Sequence, residues 1–236
     1  MSIVIEEKMQ DKKLVEIDIQ QSPFGSLAFA RADGKLLIGS ARESISTLIQ
    51  TGRKRVPEAL LNDARFEVKT GCFVTLKADD SEKSLRGCIG FHEPVYKLSW
   101  ALAHAAAAAA AEDPRFHPVT LSEMERILVE VSVLTPPTMI TTTTPQEILK
   151  HVRVGVDGLI LRWSFGSGLL LPQVATEYGW EAEEFLCNLS MKAGAPPDQW
   201  LIPGSQVYKF QAHIFSESGP NGSVEYLPGG RKSETH

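Results

Sequence analysis

The sequence predicts an α+β fold in which antiparallel sheets are flanked by helices. Strand-like and helix-like stretches are interspersed along the chain. The strongest strand pair, Cys72–Ala78 and Leu85–Phe91, is joined by the polar turn Asp79-Asp80-Ser81-Glu82-Lys83, which reads as a hairpin. No GxGxxG or GxxxxGK[ST] fingerprint is present, so nothing points to a doubly wound nucleotide fold. The 236 residues, 43% apolar and 22% charged, suffice for one large domain or two small ones with an adequate core.

Residues 1–24 are polar and charged with short apolar patches and are expected to be an arm. From Gly34 the spacing becomes helical: Leu36, Leu37, Ser40, Ala41, Ile45, Leu48 and Ile49 form a stripe, and Gly52 is placed to end it. Pro57 opens a short helix through Ala59, Leu60 and Leu61. In the hairpin, Val74 and Leu76 are expected to share the core face with Leu85 and Ile89. Thr75 and Lys77 then share the other face with Arg86 and Cys88. Pro94 is expected to open a long helix to about Glu112, whose run Ala105–Ala111 has high helix propensity and packs closely against a sheet. Asp113-Pro114-Arg115-Phe116 stops it.

Thr120-Leu121-Ser122-Glu123 fits a capping box, and Ile127–Leu134 reads as a strand with Ile127, Val129, Val131 and Val133 on one face. Thr144-Pro145-Gln146-Glu147 is a second capping box, heading a turn to His151. Gly158–Trp163 and Leu169–Leu171 read as strands around a flexible turn, Ser164–Gly168. Pro172 begins a helical turn. Glu181–Ala193 is amphipathic through Phe185, Leu186, Leu189 and Met191, with Gly194 as C-cap. Ser205–Phe215 is the last expected strand, and residues 217–236 are expected to be a disordered tail.

The formal net charge of −5 argues against nucleic acid as a partner. The basic cluster Arg53-Lys54-Arg55 reads as a solvated helix end. Three scattered cysteines without a CxxC pair fit a reducing compartment and no zinc site. No apolar run suits a membrane span or a signal peptide, so the expected location is cytoplasmic.

Chemistry points to Leu85-Arg86-Gly87-Cys88-Ile89-Gly90. An arginine on the same strand face as a cysteine, about 6–7 Å along the strand, favours thiolate. Cys88 is therefore the candidate nucleophile and His92 the candidate base, against a plain packing role for the cysteine. Arg86 could fork onto a carboxylate or phosphate, or form a salt bridge with Asp113 or Glu93. Lys77 and Thr75 would line the same face; Asp113 and Arg115 either join the site or lock a turn; Gln173 offers a neutral donor and acceptor. No histidine has metal-ligand spacing, and neither a metal nor a cofactor is expected.

The chain resembles the AMMECR-one domain family, named for the AMME syndrome chromosomal region. The resemblance is carried by Gly71-Cys72-Phe73-Val74-Thr75-Leu76, the hexapeptide at 85–90, Asp113–Phe116, Val131-Ser132-Val133-Leu134, Leu171-Pro172-Gln173-Val174 and Lys192-Ala193-Gly194. It spans residues 25–216. Ala195 replaces the family's usual leucine, and Asn188–Met191 lacks a cysteine often found there, which argues against chemistry on that helix. The resemblance implies two unequal subdomains with a cleft between them and a cytosolic protein, and it supplies no activity. It also implies a genomic association with radical-SAM-like and Memo-like proteins. The expected function is that of an enzyme or enzyme-like protein whose Arg86, Cys88 and Lys77 line a cleft acting on a small anionic molecule or modified peptide. The alternative is a non-catalytic adaptor for a protein partner such as a radical-SAM-like protein.

Overall fold

A computed structural model describes residues 3–4, 33–142 and 144–228. The chain divides into two compact units, Met1–Val133 with Phe215–Tyr226, and Leu134–Ile214 with Leu227–His236. The first carries β1 (Ile3–Val4), α1 (Asp33–Thr51), α2 (Glu58–Leu61), β2 (Cys72–Ala78), β3 (Leu85–Phe91), α3 (Leu98–Ala111) and β4 (Ile127–Leu134). The second carries β5 (Thr138–Met139), β6 (Gly158–Trp163), β7 (Gly166–Leu170), α4 (Pro172–Tyr178), α5 (Ala182–Lys192) and β8 (Gln206–Phe210). The chain then returns as β9 (Ala212–Glu217) and β10 (Val224–Pro228). Among the described residues one sheet runs β1-β3-β2-β4-β9-β10 and the other β5-β8-β6-β7. The hairpins are antiparallel and β1 pairs with β3 in parallel, so the class is α+β.

In the first unit the core lies between the sheet and α3, with α1 packed on α3. Leu37, Ala41 and Ile45 of α1 are buried as the stripe predicts, with Ile38 and Ser44 beside them. Gly52, at φ +69°, closes the helix in the left-handed region that glycine tolerates. The alanine run is buried from Ala105 to Ala110, so its smooth surface serves the protein's own sheet. A Cβ at Gly87 would collide with the carbonyl oxygen of Ala109, so this glycine lets the backbone of α3 come down onto β3.

Several elements differ from expectation. α3 begins at Leu98, not at Pro94, because residues 94–97 are held by residues 68–70: Thr70 N donates to Tyr96 O and Leu98 N to Val68 O. Ser164–Gly168 is not a flexible turn. β7 starts at Gly166, and side chains at Gly166 or Gly168 would strike the backbone of Ala193 at the end of α5. Met191 is exposed, while Phe185, Leu186, Leu189 and Ser190 are buried. Ser205–Phe215 is two strands in two sheets, broken at Gln211, where Thr135 and Gln211 exchange hydrogen bonds.

The disordered reading of 217–236 fails over its first part, since Glu217 ends β9 and Val224–Pro228 forms β10. Glu217 is buried because Arg42 forks onto it at 2.8 and 2.7 Å and Val129 N donates to it at 2.8 Å. Arg42 also donates to the carbonyls of Met124 and Ile127, which ties α1 to the start of β4. Residues 229–236, and the arm apart from β1, lie outside the described residues.

In the second unit Leu159, Leu161 and Val207 from the sheet meet Phe185, Leu186 and Leu189 of α5 and Ala175 of α4. No described helix is long and apolar enough to cross a membrane.

Candidate functional site

The β2–β3 ladder sets the site. Val74 lies opposite Ile89, Thr75 opposite Cys88 and Leu76 opposite Gly87, as expected. The register then shifts, and Lys77 lies opposite Leu85. Arg86 is the extra residue of a β-bulge, which re-aims its side chain. Two expectations fall with that shift. Leu85 leaves the core face and is only half-buried, and Arg86 does not stand beside Cys88 on a regular strand face.

Cys88 is 3% exposed. Its backbone N–H donates to Asp113 Oδ2 at 2.9 Å and so points away from β2. Cys88 and Thr75 therefore form a non-hydrogen-bonded cross-strand pair, the kind in which side chains approach most closely. The Thr75 hydroxyl accordingly lies 3.2 Å from the Cys88 sulfur. Asp113 also accepts from Arg115, at 2.9 Å from Nε, 2.6 Å from Nη2 and 3.1 Å from the backbone N–H. Burial works against the Asp113 carboxylate, but the Arg115 and Cys88 hydrogen bonds outweigh it and hold its pKa below the ordinary value. The Arg115 pKa is raised, first by its hydrogen bonds to Asp113; the Cys88 sulfur is close enough to favour the cation further. Asp113 thus joins Arg115 to the Cys88 backbone through the Asp113-Pro114-Arg115-Phe116 turn.

Arg86 turns to the segment after α3. Its guanidinium meets Glu123 at 2.6 and 3.2 Å and the His117 carbonyl at 2.9 Å, and it lies 5.7 Å from the centre of the Phe116 ring. The salt-bridge partner is therefore Glu123, not Asp113 or Glu93. The Arg86 hydrogen bonds hold the Glu123 carboxyl below its usual range. Arg86 Nη1 is buried with no hydrogen-bond partner among the described residues. Lys77 pairs with Glu130, which is itself buried, at 3.0 Å. His92 follows the end of β3, four residues or about 13 Å along an extended chain from Cys88. That is too far for a base acting directly on the thiol, and its ring lies 3.9 Å from the Glu93 carboxylate.

The site thus joins Thr75, Cys88, Asp113 and Arg115, with Arg86 anchored nearby by Glu123. Sequence reading missed Glu123 as the arginine's partner; its expected capping role does hold, since Thr120 N donates to its carboxylate. It also missed Glu130, whose signal was the one charge inside strand β4. Gln173 belongs to the second unit, at the start of α4, where its Oε1 is buried without a partner among the described residues. Among the described residues no three His, Cys, Asp or Glu side chains cluster so as to hold a metal ion.

This fold with the 85–90 hexapeptide at its sheet defines a class of α+β proteins, and the chain matches that class over residues 38–215 as AMMECR1. The chain belongs to the AMMECR1 family. It is 48% identical over 192 residues to protein MJ0810 of Methanocaldococcus jannaschii, covering 81% of this chain and 94% of that one. A protein of Methanothermobacter thermautotrophicus is 49% identical over 191 residues, covering 80% and 97%. The crystal structure of protein PH0010 from Pyrococcus horikoshii has the same fold, with a TM-score of 0.77 at 45% identity over 83% of this chain and 96% of that one.

Proposed function

We propose that the Arg86–Cys88 segment binds a small anionic molecule or a modified peptide, and that the protein acts on it as an enzyme or enzyme-like protein through the Cys88 thiol. The observation that carries the reading is Arg86 Nη1, a buried cationic donor with no acceptor among the described residues. Such a group costs stability unless something accepts its hydrogen bonds, and an anionic oxygen is the strongest acceptor available. Arg115 beside the sulfur and the Thr75 hydroxyl against it support thiolate chemistry at Cys88. The adaptor reading, with a radical-SAM-like or Memo-like protein as partner, draws on the burial of Cys88 and on the carboxylate partners of Arg86, Arg115 and Lys77.

Amide NMR of the full chain, titrated with inorganic phosphate and with citrate, tests the binding half. Saturable shifts at Gly87 and Cys88 are expected, and they should vanish in Arg86→Gln with the fold retained. Cys88→Ser should keep the binding and lose any turnover. If neither anion gives saturable shifts at these residues, the anion reading fails and the adaptor reading takes its place.

A further inference from the structure

The segment that follows α3 meets β3 at two points. Asp113-Pro114-Arg115-Phe116 closes as a turn, with the Phe116 N–H donating to the Asp113 carbonyl at 3.1 Å. Aspartate in the first place and proline in the second are residues that a β-turn favours. Beyond it the Val119 N–H donates to the Ala110 carbonyl at 2.7 Å, which ties the segment back onto α3. At the first point the Asp113 carboxylate caps the Cys88 N–H. At the second, Arg86 is received by the next two residues of the segment. Its guanidinium carbon stands over the half-buried Phe116 ring, 5.7 Å from the centre, and its Nη2 donates to the His117 carbonyl at 2.9 Å. The Arg115 guanidinium carbon stands 5.4 Å from the centre of the same ring. One phenyl ring therefore touches both arginines of the site.

The carboxylates occupy the other donors. Asp113 binds Arg115, and Glu123 binds Nε and Nη2 of Arg86, so that Nη1 is the nitrogen of Arg86 without a partner among the described residues. A phenyl face attracts a guanidinium and uses up none of its N–H groups. A polar side chain in the same place would hold the cation by accepting the very hydrogen bond a ligand needs. We infer that Phe116 is a positioning residue for the anion: its ring fixes the Arg86 guanidinium and shields it from water, which leaves Nη1 to an anionic oxygen. A shielded donor binds an anion more tightly than a hydrated one. This deepens the anion-site reading and rests on it.

The test titrates the full chain with inorganic phosphate and follows the Gly87 and Cys88 amides by NMR in the parent, Phe116→Ala and Phe116→Tyr. Phe116→Ala should weaken phosphate binding at least about fivefold, while Phe116→Tyr, which keeps the ring, should stay within about twofold of the parent. Solvent exchange of the Arg86 Nε–H, read in the same samples, should quicken in Phe116→Ala and not in Phe116→Tyr. If Phe116→Ala does not fold, Phe116→Leu carries the test, since it keeps the apolar bulk and lacks the aromatic face; a loss of at least about threefold is expected. The inference alone is overturned if the parent binds phosphate and the variant lacking the ring binds it equally well. It is also overturned if Phe116→Tyr loses as much affinity as Phe116→Ala, because the ring face is then not what holds the arginine. A parent without saturable shifts overturns the anion reading, and this inference with it.

Discussion

The two units each press a helix backbone onto a glycine-bearing strand, and each locks a loop with a buried aspartate. In the first, α3 meets β3 at Ala109 and Gly87; in the second, the end of α5 meets β7 at Ala193 and Gly168. In the first, Asp113 binds Arg115 and the Cys88 N–H; in the second, Asp157 binds the side chain and backbone N–H of Arg153. The difference lies in what shares the strand. β3 also carries the Cys88–Thr75 pair and, through Arg86, a link to Glu123, whereas around Ala193 the polar contact is the Trp163 indole donating to its carbonyl. Close packing accounts for the approach of Ala193 to Gly166 and Gly168. At 85–90 the same packing accounts for Gly87, while the opposite face of the strand holds polar groups that packing does not require.

The largest expected effect tests the shared feature. Gly87→Ala and Gly168→Ala should each cost about 3 kcal/mol, because the new methyl meets backbone that cannot rotate away. Chemical denaturation measures both, and a tolerated Gly87→Ala would break the likeness between the units.

Next come the aspartates. Asp113→Ala leaves the Cys88 N–H and the Arg115 guanidinium without their acceptor and should cost about 3 kcal/mol, and Asp157→Ala should cost a similar amount. The units should differ in thiol reactivity: Asp113→Ala should also speed alkylation of Cys88 in the folded protein, while Asp157→Ala should leave that rate unchanged. Mass spectrometry after timed alkylation reads this directly. In the parent, Cys187 should react first and Cys72 last, since burial pushes the Cys72 thiol up and keeps it protonated.

A smaller effect is expected from acid. At Asp113 and Asp157 burial opposes ionisation, but hydrogen bonds led by Arg115 and Arg153 win and lower both pKa values; at Glu123 the Arg86 hydrogen bonds lead. A lowered folded pKa gives stability that is present above the unfolded value of about 4 and is lost as pH falls through the folded value. Melting temperature should be level above pH about 5 and fall below about 4, less steeply in Asp113→Asn. A melting temperature that rises on acidification would contradict these pairings. The smallest effect belongs to Phe165, 86% exposed at the β6–β7 turn, where Phe165→Ala should change stability by less than about 0.5 kcal/mol.

Much of the local structure was legible. The bounds of β2, β3 and β4 follow from alternation, turn residues and the prolines at 136–137, and the pairing of Thr75 with Cys88 follows from the expected register. The Trp100 and His104 rings stack on one side of α3, with Tyr96 just ahead of the helix stacked on Trp100, at a four-residue spacing the sequence carries. The site was legible as a place and less so as a set of partners. One inserted residue at the bulge moved Arg86 out of the ladder, and no pattern in the hexapeptide announces it. The glycines after Phe165 looked like flexibility because a sequence cannot show a helix end lying on them.

The sequence by itself determined the bounds of β2, β3 and β4 and the core faces of α1 and β4, because these depend on periodicity and on conformational limits a few residues long. Only the tertiary structure decided that Arg42 would clamp Glu217, 175 residues away, that Arg86 would take Glu123, 37 residues on, and that the carboxylate holding Arg115 would also cap the Cys88 N–H. Any carboxylate can satisfy any of these arginines. Which one does so depends on where the intervening strands and helices bring the two ends, and that position is the sum of every packing contact between them.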